Sequence, residues 1–164
     1  MTQLQHPPIL GTSSADWPDE PACARDAAAL ARLLRGAPAL ADAFIELEGP
    51  LGAGKTTFVR HLLHALGVEG RIKSPTYAVM EPYELPGLAA WHFDFYRFND
   101  PQEWEDAGLR DVFAGPGLKL VEWPEKADGL LPAPDLRIAI AVGEDERRHV
   151  AMAALSALGR ELLR

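Results

Sequence analysis

Residues 43–66 decide the fold: Ala43-Phe44-Ile45-Glu46-Leu47-Glu48, then Gly49-Pro50-Leu51-Gly52-Ala53-Gly54-Lys55-Thr56, then Thr57-Phe58-Val59-Arg60-His61-Leu62-Leu63-His64-Ala65-Leu66. The first six read as a β-strand, because Ile45 and Leu47 alternate with Glu46 and Glu48. A parallel strand buried on both faces is usually apolar throughout, so this alternation predicts one face open to water or a partner. Lys55–Leu66 reads as a helix, with Phe58, Leu62 and Leu66 on one stripe and Gly67 as its C-cap. The segment between them matches G-x-x-x-x-G-K-[ST] at every required position. Such a loop after a strand and before a helix is a phosphate cradle. Its glycines let the backbone curl so that successive N–H groups face phosphate oxygens, and the following helix aims its unpaired amides and positive dipole end at the same anion. The expected nucleotide contacts are Gly49, Gly52, Ala53, Gly54, Lys55, Thr56 and Thr57. Lys55 reaches the β- and γ-phosphates, the Thr56 hydroxyl is a hard oxygen ligand for Mg²⁺, and Thr57 lies within reach of the α-phosphate. The strand before and the helix after argue against a glycine-rich turn that matches by chance.

A phosphate loop of this kind works with an acidic group near the metal, at the end of a neighbouring apolar strand. Two carboxylates qualify. Asp94 ends Trp91-His92-Phe93-Asp94, and Glu122 ends Leu118-Lys119-Leu120-Val121-Glu122. Alternation places His92, Asp94 and Tyr96 on one face. On spacing alone, either carboxylate can hold Mg²⁺ while the other orients the attacking water, and either can instead be a salt-bridge partner at a strand end.

Outside this centre, Pro18-Asp19-Glu20-Pro21 looks like a helix start with acid at the positive dipole end. Ala27, Leu30, Ala31 and Leu34 continue it at helical spacing to Gly36. Residues 77–83 and 89–95 read as strands joined by a Leu-Pro-Gly loop. Residues 101–106 read as a short helix capped by Asp100, and residues 118–123 as an apolar strand. Leu136–Val142 and Arg148–Ala154 alternate strictly around Gly-Glu-Asp-Glu, a β-hairpin signature, and a short helix follows. The pattern is α/β: a P-loop NTPase-like mixed sheet with flanking helices and added antiparallel strands. Residues 1–17 show no periodicity and read as a poorly ordered N-terminal segment. Residues 18–164 read as a single P-loop ATPase domain.

Bulk properties narrow the function. The chain has 164 residues, enough for one hydrophobic core, and a net charge of −8. An acidic surface repels nucleic-acid backbone, which disfavours autonomous RNA or DNA binding. Cys23 is the only cysteine, so neither an internal disulfide nor a cysteine zinc site is expected. The polar start, with Pro7 and Pro8, lacks a basic-then-apolar signal pattern. The apolar runs are too short to span a bilayer.

Four motifs occur in order: 49–57, Lys73-Ser74-Pro75-Thr76-Tyr77, His92-Phe93-Asp94-Phe95-Tyr96-Arg97, and Val121-Glu122-Trp123-Pro124-Glu125. Together, and over the chain from about Pro18 to the final hairpin, they resemble the TsaE (YjeE) family, the bacterial ATPases of tRNA threonylcarbamoyladenosine synthesis. The resemblance implies that ATP is bound and hydrolysed with Mg²⁺, weakly alone and in support of a TsaD–TsaB-like transferase complex. It implies contact with tRNA only through that complex, no membrane, and a cytoplasmic location. It implies Lys55, Asp94 and Glu122 as catalytic residues, Thr56 and Glu122 as Mg²⁺ ligands, and Ser74, Thr76 and Tyr77 as a switch loop near the γ-phosphate. It also places Trp123 beside the site and Glu20 and Arg147 near the nucleotide base. Pro50 departs from the family, whose members often carry an acidic residue there, and it offers no backbone N–H.

Other residues have plainer readings. His61 and His64 lie on one helix face, but no third metal ligand accompanies them. Trp91 and Trp104 suit packing or a partner surface. Arg97 suits pairing with Glu103 or Glu105, or phosphate charge. A small-molecule kinase would bring an arginine-bearing lid, and no arginine cluster lies where one would sit. A GTPase-type switch would bring an Asn-Lys-x-Asp guanine reader, which the chain lacks.

Overall fold

Among the described residues seven strands build one sheet: β1 (Gly11–Trp17), β2 (Phe44–Glu48), β3 (Met80–Leu85), β4 (Leu88–Asp94), β5 (Leu118–Glu122), β6 (Leu136–Val142) and β7 (Arg148–Ala154). Their order in space is β1-β7-β6-β2-β5-β4-β3. The computed structural model describes residues 7–72, 75, 79–106 and 108–163, and the expected switch residues Ser74, Thr76 and Tyr77 lie outside these. Strands β6, β2, β5 and β4 run parallel, so their C-terminal ends share one edge. The antiparallel additions are β3 on β4, β7 on β6 and β1 on β7. The chain is thus a P-loop NTPase-like α/β fold with a mixed sheet.

Helices cover both faces. α1 (Glu20–Leu34) and α2 (Lys55–Leu66) lie on one side, where Leu30, Leu34, Phe58, Leu62 and Leu66 meet Ile45, Leu47, Leu120, Ile138 and Ile140. Burying each such Leu, Ile or Phe contributes about 1.5–3 kcal/mol. α1 starts where the sequence signals it: the Asp19 carboxylate accepts from the Ala22 N–H at 3.0 Å, and Glu20 sits in the first turn. α3 (Pro101–Asp106), α4 (Leu109–Ala114) and the 3-10 turn Pro124–Ala127 cover the other face. There the core is aromatic: Phe44, Phe93, Phe95, Phe98 and Trp104 pack with Leu109, Val121 and Ala127. Trp104 is therefore a packing residue, and Trp91 is half-buried against the same cluster. α5 (Ala157–Glu161) closes the described chain, capped by the Ser156 hydroxyl.

Two expectations are corrected. The segment 1–17 was expected to be poorly ordered, yet residues 11–17 form β1. Seven consecutive residues of β1 pair with β7, from Gly11 opposite Ala154 to Trp17 opposite Arg148. The missing signal is apolar periodicity, because an edge strand needs a buried side chain only where it meets the core. Trp17 is that point: its ring stacks on Phe58 at 5.5 Å and its indole N–H donates to Asp26 at 2.7 Å.

The second correction concerns β2. It has parallel neighbours on both sides and buried residues on both faces, so the face carrying Glu46 is not open. Glu46 is only 5% exposed, and Arg137 on β6 approaches it at 3.4 Å while also bridging to Glu48 at 3.1 Å. Burial pushes the Glu46 carboxyl up to about 7; Arg137 opposes this, and Glu48 and Glu125 add to it. The unfolded chain releases this proton near the ordinary value of 4.5, so the carboxyl favours the folded state below that pH and progressively less as pH rises toward 7. Relative to Glu46→Gln, the wild type is expected to lose unfolding free energy on the order of 3 kcal/mol across that window. Urea denaturation of both proteins at each end of the window measures this, and parallel pH profiles would refute it.

Candidate functional site

The loop between β2 and α2 sits at the C-terminal edge of the parallel strands, where ligands bind in open α/β sheets. Its shape depends on glycine. Gly49 has φ +153°, and a Cβ there would lie 2.6 Å from the Ile140 carbonyl oxygen. Gly54, the N-cap of α2, has φ +110° and ψ 17°, a left-handed conformation that no other residue adopts cheaply. Pro50 is accommodated by closing the loop as a turn: its carbonyl accepts from the Ala53 N–H at 3.0 Å. Among the described residues no side chain caps the N-terminus of α2, which leaves amides of its first turn for an anion. Among the described residues, a Cβ at Gly52 or Gly54 would meet nothing within 4 Å.

Arg148 on β7 braces the loop from behind. Its Nε donates to the Ala53 carbonyl at 3.1 Å and an Nη to that of Gly52 at 3.4 Å. The carbonyl and N–H of a trans peptide point opposite ways, so pinning the Ala53 carbonyl turns the Gly54 N–H away from Arg148.

The opening in front of the loop is lined by Gly52–Thr57 together with Asp94, Tyr96, Glu122 and Trp123. The structure thus brings together Lys55, Thr56, Asp94 and Glu122, which come from α2, β4 and β5. The Thr56 hydroxyl donates to Glu122 Oε1 at 2.7 Å, and the other Glu122 oxygen meets His92 Nε2 at 2.6 Å. Asp94, paired in register with Glu122, accepts from the Tyr96 N–H at 2.9 Å. The Lys55 ammonium donates to the Gly49 carbonyl and lies 3.3 Å from the centre of the Trp123 ring. Burial lowers the Lys55 pKa, and the nearby Glu122, Glu125 and Asp94 charges counter it. Trp123 holds a left-handed backbone, φ 58° and ψ 49°, which costs a non-glycine residue about 1–3 kcal/mol. Lys55 on one side and the Tyr96 ring at 4.9 Å surround the indole in this conformation.

A second opening adjoins the loop at Ala53, Gly54 and Thr57, and its walls include Trp17, Glu20, Cys23, Glu146 and Arg148. Glu20 is there as expected and also accepts from or pairs with His61 at 2.9 Å. Arg147 lines neither opening and pairs with Asp145 at 3.8 Å. The adjacent Arg148 takes the place beside the loop. Cys23 lies in this wall, with its thiol pushed up to about 12, first by burial and then by Glu20 and Asp26. It is a protonated packing group, not a nucleophile.

Sequence reasoning put His92 on the face of Asp94 without a role, and it missed Trp17 and Arg148. No local pattern marks Arg148, because its partners are carbonyls 95 and 96 residues away. His61 and His64 make separate contacts, with Glu20 and the Val68 carbonyl. Among the described residues no group of three or more His, Cys, Asp and Glu could hold a metal. None of the helices in the described residues is long and apolar enough to cross a membrane.

Comparison with known proteins points the same way along most of the chain. The family model described as TsaE, threonylcarbamoyl adenosine biosynthesis protein TsaE, matches residues 18–150. The tRNA threonylcarbamoyladenosine biosynthesis protein TsaE of Haemophilus influenzae is 41% identical over 119 residues, 73% of this chain and 75% of that one. The protein of the same description from Bacillus subtilis is 39% identical over 111 residues, 68% and 69% of the two chains. Among solved structures, the crystal structure of Bacillus subtilis YdiB superposes with a TM-score of 0.74 at 27% identity, covering 93% of this chain and 92% of that one.

Proposed function

This chain belongs to the TsaE family of threonylcarbamoyl adenosine biosynthesis proteins, and we propose that it serves that pathway as an Mg²⁺-dependent ATPase. The observation that carries the reading is the convergence of an open, glycine-shaped amide cradle, Lys55, and the hydrogen-bonded Thr56–Glu122 pair at one strand edge. The cradle fits a polyphosphate, because its amides and the α2 dipole favour negative charge. The Thr56 and Glu122 oxygens fit a small hard cation, which typically takes one or two protein oxygens and completes its shell with phosphates and water. When bound, Mg²⁺ would neutralise charge on the β- and γ-phosphate oxygens.

The residues then divide the work. Gly52, Ala53, Gly54 and Thr57 hold the phosphates through the loop and the start of α2. The Lys55 ammonium leaves the Gly49 carbonyl for the β- and γ-phosphates and stabilises the charge that grows during transfer. Asp94, at the rim of the same opening, orients a water for in-line attack on the γ-phosphorus. The water oxygen bonds to phosphorus, the bond to the β–γ bridging oxygen breaks, the water's displaced proton passes to the phosphate oxygens or to solvent, and ADP and phosphate leave. Arg148 keeps the loop shaped, and Trp17, Glu20 and Glu146 form the wall where the base would lie. Ser74, Thr76 and Tyr77 are proposed as the switch that senses the γ-phosphate.

Partners similar to TsaD and TsaB are part of this proposal, with tRNA reached through them and the whole acting in the cytoplasm. The net charge of −8 supports an indirect role, because it disfavours tRNA binding by this chain alone. The test is steady-state ATP hydrolysis with and without a purified TsaD–TsaB pair. The expected result is a slow basal rate that rises at least about tenfold with the pair, a change of roughly 1.4 kcal/mol in the barrier. An unchanged rate, or transfer of the phosphoryl group to a small molecule, would refute the assignment.

A further inference from the structure

We propose that His92 is a positioning residue that aims the Glu122 carboxylate at Thr56 and thereby sets the cation affinity of the site. The inference rests on the Mg²⁺–nucleotide reading above and adds a residue to it.

His92 sits on β4 and is 0% exposed. It pairs in register with Leu120, two residues before Glu122 on β5. The imidazole therefore approaches the Glu122 side chain from one strand step below the site. Its Nε2 lies 2.6 Å from Glu122 Oε2, and Glu122 Oε1 accepts from the Thr56 hydroxyl at 2.7 Å. Each carboxylate oxygen thus has its own partner, one beneath the site and one within it. Rotation of the carboxylate would break both bonds inside a region where Glu122 is 2% exposed.

The choice of histidine is costly for packing alone. Its Nδ1 is buried and has no hydrogen-bond partner among the described residues. With the proton on Nε2, as a carboxylate partner requires, Nδ1 is an unsatisfied acceptor. A leucine or phenylalanine would fill the same space between sheet and helices without that desolvation cost. What histidine adds is the N–H that fixes Glu122. Groups that hydrogen-bond a ligating residue from behind commonly change metal affinity by about 10–100-fold when removed.

The test is equilibrium binding of a fluorescent ADP analogue to the full chain, titrated with Mg²⁺ and repeated in EDTA. His92→Phe removes the donor while keeping bulk. It is expected to raise the Mg²⁺ midpoint by about 10–100-fold while binding in EDTA stays at the wild-type level. His92→Gln, whose amide N–H can occupy the Nε2 position, is expected to restore the midpoint, and His92→Asn, whose amide falls short, is not. In a Glu122→Gln background, His92→Phe should have no further effect on the midpoint. A merely structural role predicts equal losses with Mg²⁺ and in EDTA, and that outcome overturns the inference, as does an unmoved midpoint. If His92→Phe does not fold, equal midpoints for the Gln and Asn proteins overturn it equally well. Wild-type binding that ignores Mg²⁺ would instead overturn the underlying reading, and the inference with it.

Discussion

Lys55→Ala is expected to lower the ATP hydrolysis rate by about 10²–10³-fold, the usual cost of removing one preorganised donor to developing transition-state charge. The size follows from where the ammonium sits. Lys55 is 4% exposed, at the first residue of α2, and its Nζ lies between the Gly49 carbonyl and the Trp123 ring. A charge so placed is preorganised, because few water molecules must be shed when phosphate arrives. Its surroundings carry several acids, and among the described residues that line the opening Lys55 alone is a cation, so none of these replaces it. Alanine at the first helical position keeps or improves helix propensity, and thermal unfolding is expected to stay near wild type. Calorimetric binding of ATP, run beside the rate measurement, checks the prediction. Normal binding and normal hydrolysis by this variant would remove the basis for a phosphate loop.

The second large effect concerns the two carboxylates, which the geometry separates. Glu122→Gln is expected to cut hydrolysis by about 10²–10⁴-fold, within the range of catalytic acid–base and ligand groups, and to weaken Mg²⁺-dependent nucleotide binding. Glu122 holds both Thr56 and His92, so loss of its charge disturbs cation binding itself. Asp94→Asn is expected to cut the rate over a similar range but to leave Mg²⁺-dependent binding nearly intact. Asp94 bonds the Tyr96 N–H and lines the opening beside Glu122, a place suited to orienting water. Rates and ADP affinities of both proteins, measured across a Mg²⁺ series, decide the division. Full activity in both would sink the mechanism, and reversed signatures would exchange the two roles.

How legible these parts were in the sequence depended on the distance along the chain over which each is encoded. The glycine-rich loop is eight consecutive residues, and the β-hairpin of β6 and β7 spans 136–154, so spacing and turn chemistry sufficed to place them. Asp94 and Glu122 were legible because each ends an apolar strand. The alternation in β2 was read correctly as a strand and wrongly as an open face. Single-strand periodicity cannot see that β5 and β6 flank it, or that Arg137, 91 residues on, meets Glu46. β1 gave no local sign, since its partner strand lies more than 130 residues away and its contact with the core is one buried residue, Trp17, with the small Ala15 partly buried beside it.

By itself, then, the sequence determined the α/β class, the glycine-rich loop between strand and helix, and the acidic strand ends, and the four ordered motifs marked the family that comparison established. Those features are local: glycine spacing, strand period and helix stripe are set by neighbouring φ and ψ angles. Only the tertiary structure decided that residues 11–17 complete the sheet, that Arg148 braces the loop, and that His92 and Thr56 grip opposite oxygens of Glu122. These are matters of register and packing between distant segments. A shift of one residue in a strand reverses which side chains face the site, and no short window of sequence carries that information.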